Sequence, residues 1–274
     1  ATAFVIVGFI GTLLKFKSQS LTEELIETQE MNRDFTRITI ESDNAAIEVI
    51  PSHSETTKVE FYGNKKKKKR YEFTTDVTGE TLTVSLKEVR KIFFKFFYDS
   101  VTLKVYIPEK MYENVQILND NGTIEANTLQ SKELRLQTDN GRIVLEEASA
   151  QQVNAHSSNG EIFMKNITAT NVETRSDNGT VSLTDVTGDI IGKVNNGQIT
   201  LKLNDLDRNM ELEADNGKIV VYTANEPTNA TINTFIENGK TTIFGKRTFQ
   251  EVYGAGEYKI NLAANNGKIT VDKR

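Results

Sequence analysis

Asn-Gly recurs eight times between residues 121 and 267. The copies are Asn121-Gly122, Asn140-Gly141, Asn159-Gly160, Asn178-Gly179, Asn196-Gly197, Asn216-Gly217, Asn238-Gly239 and Asn266-Gly267, spaced by 19, 19, 19, 18, 20, 22 and 28 residues. A period this regular is the mark of a repeat architecture in which each copy covers the apolar face of the next. Aligned on the Asn, three columns are apolar in nearly every copy. Three residues later stand Ile124, Ile143, Ile162, Val181, Ile199, Ile219, Thr241 and Ile269; five later, Ala126, Leu145, Met164, Leu183, Leu201, Val221, Ile243 and Val271. Six earlier stand Val115, Leu134, Val153, Val172, Ile190, Met210, Ile232 and Ile260. The residues between are mostly polar, so each copy reads as two short strands flanking a corner, with alternate side chains inward.

Asn-Gly between alternating strands is also the strongest signal for a two-residue hairpin. Eight hairpins would need equally regular return turns, yet the connections "TLQSKE", "EASAQQ", "ITATN" and "DVTGD" share no character. A fourth apolar point eight residues after the Asn, at Leu129, Ala148, Ile167 and Val186, suggests a third side. The fold class expected is therefore all-β, a parallel β-helix or solenoid of ~19-residue coils, each advancing by the interstrand spacing of ~4.8 Å. Eight such coils span roughly 35 to 40 Å. In this reading Asn forms a ladder from coil to coil, while Gly turns the corner without a Cβ.

The repeats occupy 111–274. Over 35–110, "TRITIES", "TKVEFYG", "TLTVSLK" and "VTLKVYIP" alternate with period two, which predicts an irregular β-rich N-terminal region. "FTRITIESDNAAIEV" places Ile38, Ile40, Ile47 and Val49 around Asn44 in the same register, with Ala45 in the Gly position; it reads as a ninth, atypical end copy. The acidic "LTEELIETQEMN" inside 15–34 suggests a stalk, linker or short helix. Residues 1–14, "ATAFVIVGFIGTLL", are uncharged and too short to span a bilayer alone; they read as the end of a truncated membrane anchor, against a signal-peptide core or a buried strand. Lys15 and Lys17 after them run against the positive-inside preference for an extracytoplasmic flank.

Composition closes several routes to chemistry. With no cysteine, thiolate sites are excluded; two histidines, His53 and His156, weigh against zinc and His-based catalysis, and both read as isolated surface residues. Asp120, Asp139, Asp177 and Asp215 precede their Asn and could stack as oxygen ligands for calcium, but Ser158, Asn195, Glu237 and Asn265 interrupt the column, so a solvated corner is preferred. No catalytic, cofactor or metal site is expected. Arg135, Arg142 and Arg175 along one side keep open the alternative of a carbohydrate-active enzyme, a lyase or hydrolase, although no compact acid–base group stands out.

The strongest charge feature is Lys65, Lys66, Lys67, Lys68, Lys69 and Arg70. From Lys58 to Lys110 there are 13 basic and 7 acidic residues, about +6 in a chain of net charge −5. Phe93, Phe94, Phe96 and Phe97 follow among Lys91 and Lys95. Cations interleaved with aromatics suit an anionic lipid surface or wall polymer. The plainer reading, and the preferred one, is a solvated hairpin tip beside a hydrophobic cap over the open end of the stack. Nucleic acid is a poor partner for so acidic a chain.

The membrane segment, the "SDNAAIEVIPS" opening, the "VTLKVYIPEKMYENVQI" stretch and the stacked "DNGxIxL" coils together resemble a bacterial cell-envelope family of predicted adhesins over residues 35–274. In length and single anchor the chain looks most like the membrane-anchored LiaG proteins of Gram-positive envelope-stress systems. The resemblance implies a right-handed β-helix outside the membrane and no catalytic residues. The function expected is that of a non-catalytic, extracytoplasmic adhesion or interaction scaffold at the cell membrane, possible partners being anionic lipid, wall polymer or another envelope protein.

Overall fold

The computed structural model describes residues 23–89 and 101–274. Among them every regular element is a strand except one short 3-10 helix, Lys65–Arg70. The repeats occupy strands β8 (Met111–Asn127), β9 (Gln130–Glu146), β10 (Ser149–Val186), β11 (Asp189–Leu203), β12 (Met210–Thr223), β13 (Ala230–Ile243) and β15 (Tyr258–Lys273), with a three-residue β14 (Gln250–Val252) between the last two. They pair in parallel and in register, Asn on Asn: Asn121 with Asn140, Asn140 with Asn159, Asn178 with Asn196 and Asn196 with Asn216. The Asn-Gly corners are thus rungs of a solenoid and not hairpin turns.

The three apolar columns read from the sequence all face inward and, with the residues eight after the Asn, form one continuous core. Each coil has three sides. Pairing lapses at Asp120 and Asp139 beside the Asn corner and again at Glu113 and Lys132, eight residues before it. The remaining corner lies seven residues after the Asn, where Thr128, Glu147, Asn166 and Asp185 adopt left-handed backbone with φ of 51–55°. Such a conformation is unfavourable for a residue with a Cβ and is held here by the stacking of like corners.

At the Asn-Gly corner the glycine answers to its neighbour and not only to its own torsions. A Cβ on Gly160 would stand 1.7 Å from the carbonyl oxygen of Gly141, and one on Gly141 1.8 Å from that of Gly122. Backbone passes over backbone there, and only hydrogen fits. Just inside the corner, two residues before the Asn, five successive coils carry a column the alternating pattern conceals: Ser42, Asn119, Thr138, Ser157 and Ser176, all buried and all polar, before it turns apolar at Val194, Ala214 and Ala264.

The N-terminal region extends the same stack. β2 (Arg37–Asn44) and β3 (Ala46–Ser52) form the ninth coil, with Ile38 on Val115, Ile47 on Ile124 and Asn44 on Asn121. On its far side lie β6 (Thr81–Glu88) and β7 (Thr102–Pro108), again in parallel. Antiparallel strands then close the end. β5 (Tyr71–Thr78) covers β6, β4 (Thr57–Gly63) covers β7, and β1 (Glu24–Met31) covers β4. The acidic segment expected as stalk or short helix is therefore in large part an edge strand. Its polar residues face solvent while β4 satisfies its backbone, which requires no helical periodicity. Phe61, Tyr71 and Phe73 pack together over this end, with ring centroids 5.6 and 5.8 Å from Phe61.

The C-terminal end departs from sequence order. β15 pairs with β12 on one side and β13 on the other, so the Asn266 coil lies between those of Asn216 and Asn238. Consecutive stacking, the natural expectation from the repeat, fails for this pair. The chain passes one coil height beyond β12, lays down β13, turns back through β14, and fills the gap with its final strand. The repeat that becomes terminal is the one whose inward column carries Thr241 in place of an aliphatic residue. Its hydroxyl bonds Thr234 at 3.1 Å, a polar interior that suits an end coil better than a middle one.

Candidate binding groove

The residues singled out by the repeat are structural. Each corner Asn donates its Nδ2 to the Oδ1 of its neighbour, from Asn238 through Asn266, Asn216, Asn196, Asn178, Asn159, Asn140 and Asn121 to Asn44, at 2.8–3.1 Å. All the amides point one way, so their dipoles add and polarise one another. At the donor end Asn44 Nδ2 meets Glu88 Oε2 at 3.3 Å, and Glu88 pairs through its other oxygen with Arg70 at 2.8 Å. The buried carboxylate thus terminates the positive end of the ladder.

The basic run forms the 3-10 helix between β4 and β5, started by the Asn64 side chain, which accepts from the Lys66 N–H at 3.0 Å. The acidic edge strand lies against it. Lys65 pairs with Glu24 at 3.1 Å and Lys68 with Glu27 at 2.8 Å. The Lys68 ammonium holds the Glu27 carboxyl below its usual range. Lys65, Lys68 and Arg70 are therefore neutralised within the chain. Phe93, Phe94, Phe96 and Phe97, and the anchor at 1–14, lie outside the described residues.

A surface able to receive a ligand lies elsewhere, on the outward face of the side preceding the Asn corner. Two hollows of about 360 and 340 Å³ indent it, and Glu173 lines both. The smaller lies over the coils of Asn140, Asn159 and Asn178 and gathers Arg135, His156 and Arg175. The larger runs from Gln152 and Asn171 through Asp189 and Asn209 to Lys259 and Asn261. These outward positions, seven, five and three before each Asn, alternate with the buried columns; strand geometry alone points them into the groove.

Because β15 is inserted, Lys259 and Asn261 stand beside Asn209 and Glu211, and the Lys259 N–H donates to Asn209 Oδ1 at 3.2 Å. In sequence order Thr231 and Asn233 would have held these places. Two of the three carboxylates in the larger hollow are engaged. Asp189 accepts from the backbone and side-chain nitrogens of Asn209, both at 3.2 Å, and Glu211 pairs with Lys193 at 3.4 Å. Lys193 also meets Glu213 at 2.9 Å, and the two glutamates keep its ammonium charged beyond the ordinary lysine range.

The profile of the family described as Toastrack DUF4097 matches residues 35–272, nearly the whole of the described coil stack. The chain belongs to this family. No curated protein matches the Toastrack chain in sequence. Among solved structures it is similar to a "putative adhesin" from Bacteroides fragilis, at 17% identity and a TM-score of 0.41, covering 90% of this chain and 96% of that one. A second "putative adhesin", from Parabacteroides distasonis, shares 11% identity at a TM-score of 0.45 with the same coverage. A "putative lipid binding protein" from that organism shares 15% at 0.40, again covering 90% and 96%.

Of the arginines noted in the Toastrack sequence, Arg135 and Arg175 meet in one hollow. Arg142 lies past the corner on the next side and faces Glu161 at 3.5 Å. His156, expected to be isolated, lines the hollow with them. His53 stands apart, 3.2 Å from Glu109. The corner aspartates join the cross-coil bonding, as when Asn195 Nδ2 donates to Asp177 at 3.3 Å and Asn265 Nδ2 to Asp215 at 3.1 Å. No cluster of three potential metal ligands occurs among the described residues. No helix there is long and apolar enough to cross a membrane. The amide- and charge-lined groove itself was missed in the sequence, although its signal was present: the outward columns change identity from coil to coil while the corner does not.

Proposed function

We propose that this Toastrack protein is a non-catalytic interaction and adhesion scaffold on the extracytoplasmic face of the cell membrane, anchored through residues 1–14 and serving the cell-envelope stress response. The observation that carries the reading is the pair of adjoining hollows on a ladder-bonded rod, in which two of the three carboxylates, Asp189 and Glu211, are engaged by Asn209 and Lys193. Hydrolysis of a glycosidic bond is in most families the work of two carboxyl groups flanking that bond. Binding requires only complementary, preorganised groups, which stacked coils provide. Envelope polymer, anionic lipid or a second envelope protein are the partners this surface suits.

Protease treatment of intact cells should degrade the chain from outside, and the purified protein should bind isolated envelope fragments saturably without releasing soluble fragments or new reducing ends. A chain protected in intact cells would contradict the location. Catalytic release of fragments would replace the scaffold by the carbohydrate-active enzyme that the arginine-lined groove also accommodates.

A further inference from the structure

The two halves of the groove differ in chemistry. The smaller hollow is lined by two guanidinium groups, Arg135 and Arg175, an imidazole, His156, and one carboxylate, Glu173. Arg135 donates to the amide oxygen of Gln137 at 3.3 Å, a neutral partner that leaves its charge uncompensated, whereas Arg175 faces Asp177 at 3.3 Å. Arg135 thus has no carboxylate partner among the described residues and can take one from a ligand. In the larger hollow the side-chain amides of Gln152 and Asn171 bond to no protein group among the described residues, and so remain for a ligand's hydroxyls.

Together the hollows cross six coils, from that of Asn140 to that of Asn266, a path of about 24 Å at the strand spacing. A ligand using both is long, linear, rich in hydroxyl groups and acidic at one end at least. An extended peptide is less well served, because this face offers no free strand edge to pair with and Ile191 is the one exposed large apolar side chain in its lining.

We propose that the groove binds a linear acidic polysaccharide, with Arg135 and Arg175 receiving a uronate carboxylate and Gln152 and Asn171 the hydroxyls of sugars further along. The assignment rests on the groove being the contact surface of the scaffold. It is new in naming both the ligand class and the residues, and it moves the anionic contact away from the lysine run to the middle of the rod.

The test is titration of the full-length protein with oligogalacturonate of defined length, its methyl-esterified form, and polyglutamate, each at two salt concentrations. Oligogalacturonate should bind saturably, and the Arg135→Gln/Arg175→Gln double variant should bind at least about tenfold more weakly with an unchanged unfolding curve, the loss expected for charge-assisted hydrogen bonds. Arg142→Gln, on the next side, should bind as the unaltered protein does, and the esterified oligomer should bind poorly. Equal binding by the double variant, equal binding of the ester, or no binding of oligogalacturonate by the folded protein would each overturn the proposal. Tighter binding of polyglutamate would make the groove an acidic-peptide surface and overturn the polysaccharide assignment. If envelope fragments bind while oligogalacturonate does not, the scaffold stands and only the ligand falls.

Discussion

The Asn-Gly corner and the groove lie on the same coils and obey opposite rules. At the corner eight coils offer the same two residues, because each Asn must reach the next Asn and each Gly must let the neighbouring carbonyl pass; only the Asn44 coil carries Ala45 in place of Gly. In the groove no two coils offer the same set: Arg135, Asn154, Glu173, Ile191, Glu211 and Asn261 occupy one column. A repeat protein repeats what stacking demands and varies what stacking leaves free. Repetition marks the scaffold, and the breaks in it mark where chemistry can reside.

That contrast is broken most severely at the glycines. Gly160→Ala puts a methyl group where the Gly141 carbonyl lies, and should cost about 3 kcal/mol as overpacking against backbone. Urea unfolding would register it as a lower midpoint, and a near-neutral result would show that the corners can spread apart. Asn159→Ala interrupts the ladder but clashes with nothing. It removes the bonds to Asn140 and from Asn178, both 3.0 Å, and should cost about 1 kcal/mol at so exposed a position.

Acid should act on the connection that carries the chain past the inserted coil. Burial pushes the Asp207 carboxyl up, but the Thr228 hydroxyl and the Asn229 and Thr228 N–H groups outweigh it and hold its pKa below the ordinary 3.8. A depressed carboxyl stabilises the fold above its unfolded pKa, and that stability is lost as pH falls through the lower folded value. Asp207→Asn should therefore flatten the fall in stability below about pH 4, read from melting curves between pH 5 and 2.

The smallest effect uses the coil order itself. Lys218, Lys268 and Lys240 stack in that order on adjacent strands. Lys268→Glu would place an anion between two cations and should stabilise by about 0.5 kcal/mol, raising Tm by about 1–2 °C.

Much of this was legible in the sequence. The period, the inward columns and the Asn44 copy emerge from alignment, because a coil can only stack if like residues recur. Three things were hidden, each for a physical reason. Ser42, Thr138 and Ser157 are polar yet inward, since the corner interior is narrow and admits small side chains that alternation misassigns. The strand nature of Glu24–Met31 depends on β4, a partner distant in sequence. The exchange of the last two coils leaves no periodic trace, because the Asn216, Asn238 and Asn266 copies are compatible with either order. Thr241 and the longer spacings of 22 and 28 were the only hints.

The groove depends on that exchange for Lys259 and Asn261, so the coil order is the claim that most needs testing. The chain contains no cysteine, which gives a clean background for introducing pairs. Cysteines replacing Lys218 and Lys268 would lie on adjacent parallel strands, within the Cα separation a disulfide tolerates. Cysteines replacing Lys218 and Lys240 would be two strand spacings apart, about 9.6 Å, and beyond it. Mild oxidation of the folded protein should therefore close the first pair and leave the second reduced. Ready closure of the 218–240 pair with an open 218–268 pair would place the coils in sequence order and contradict the structure described.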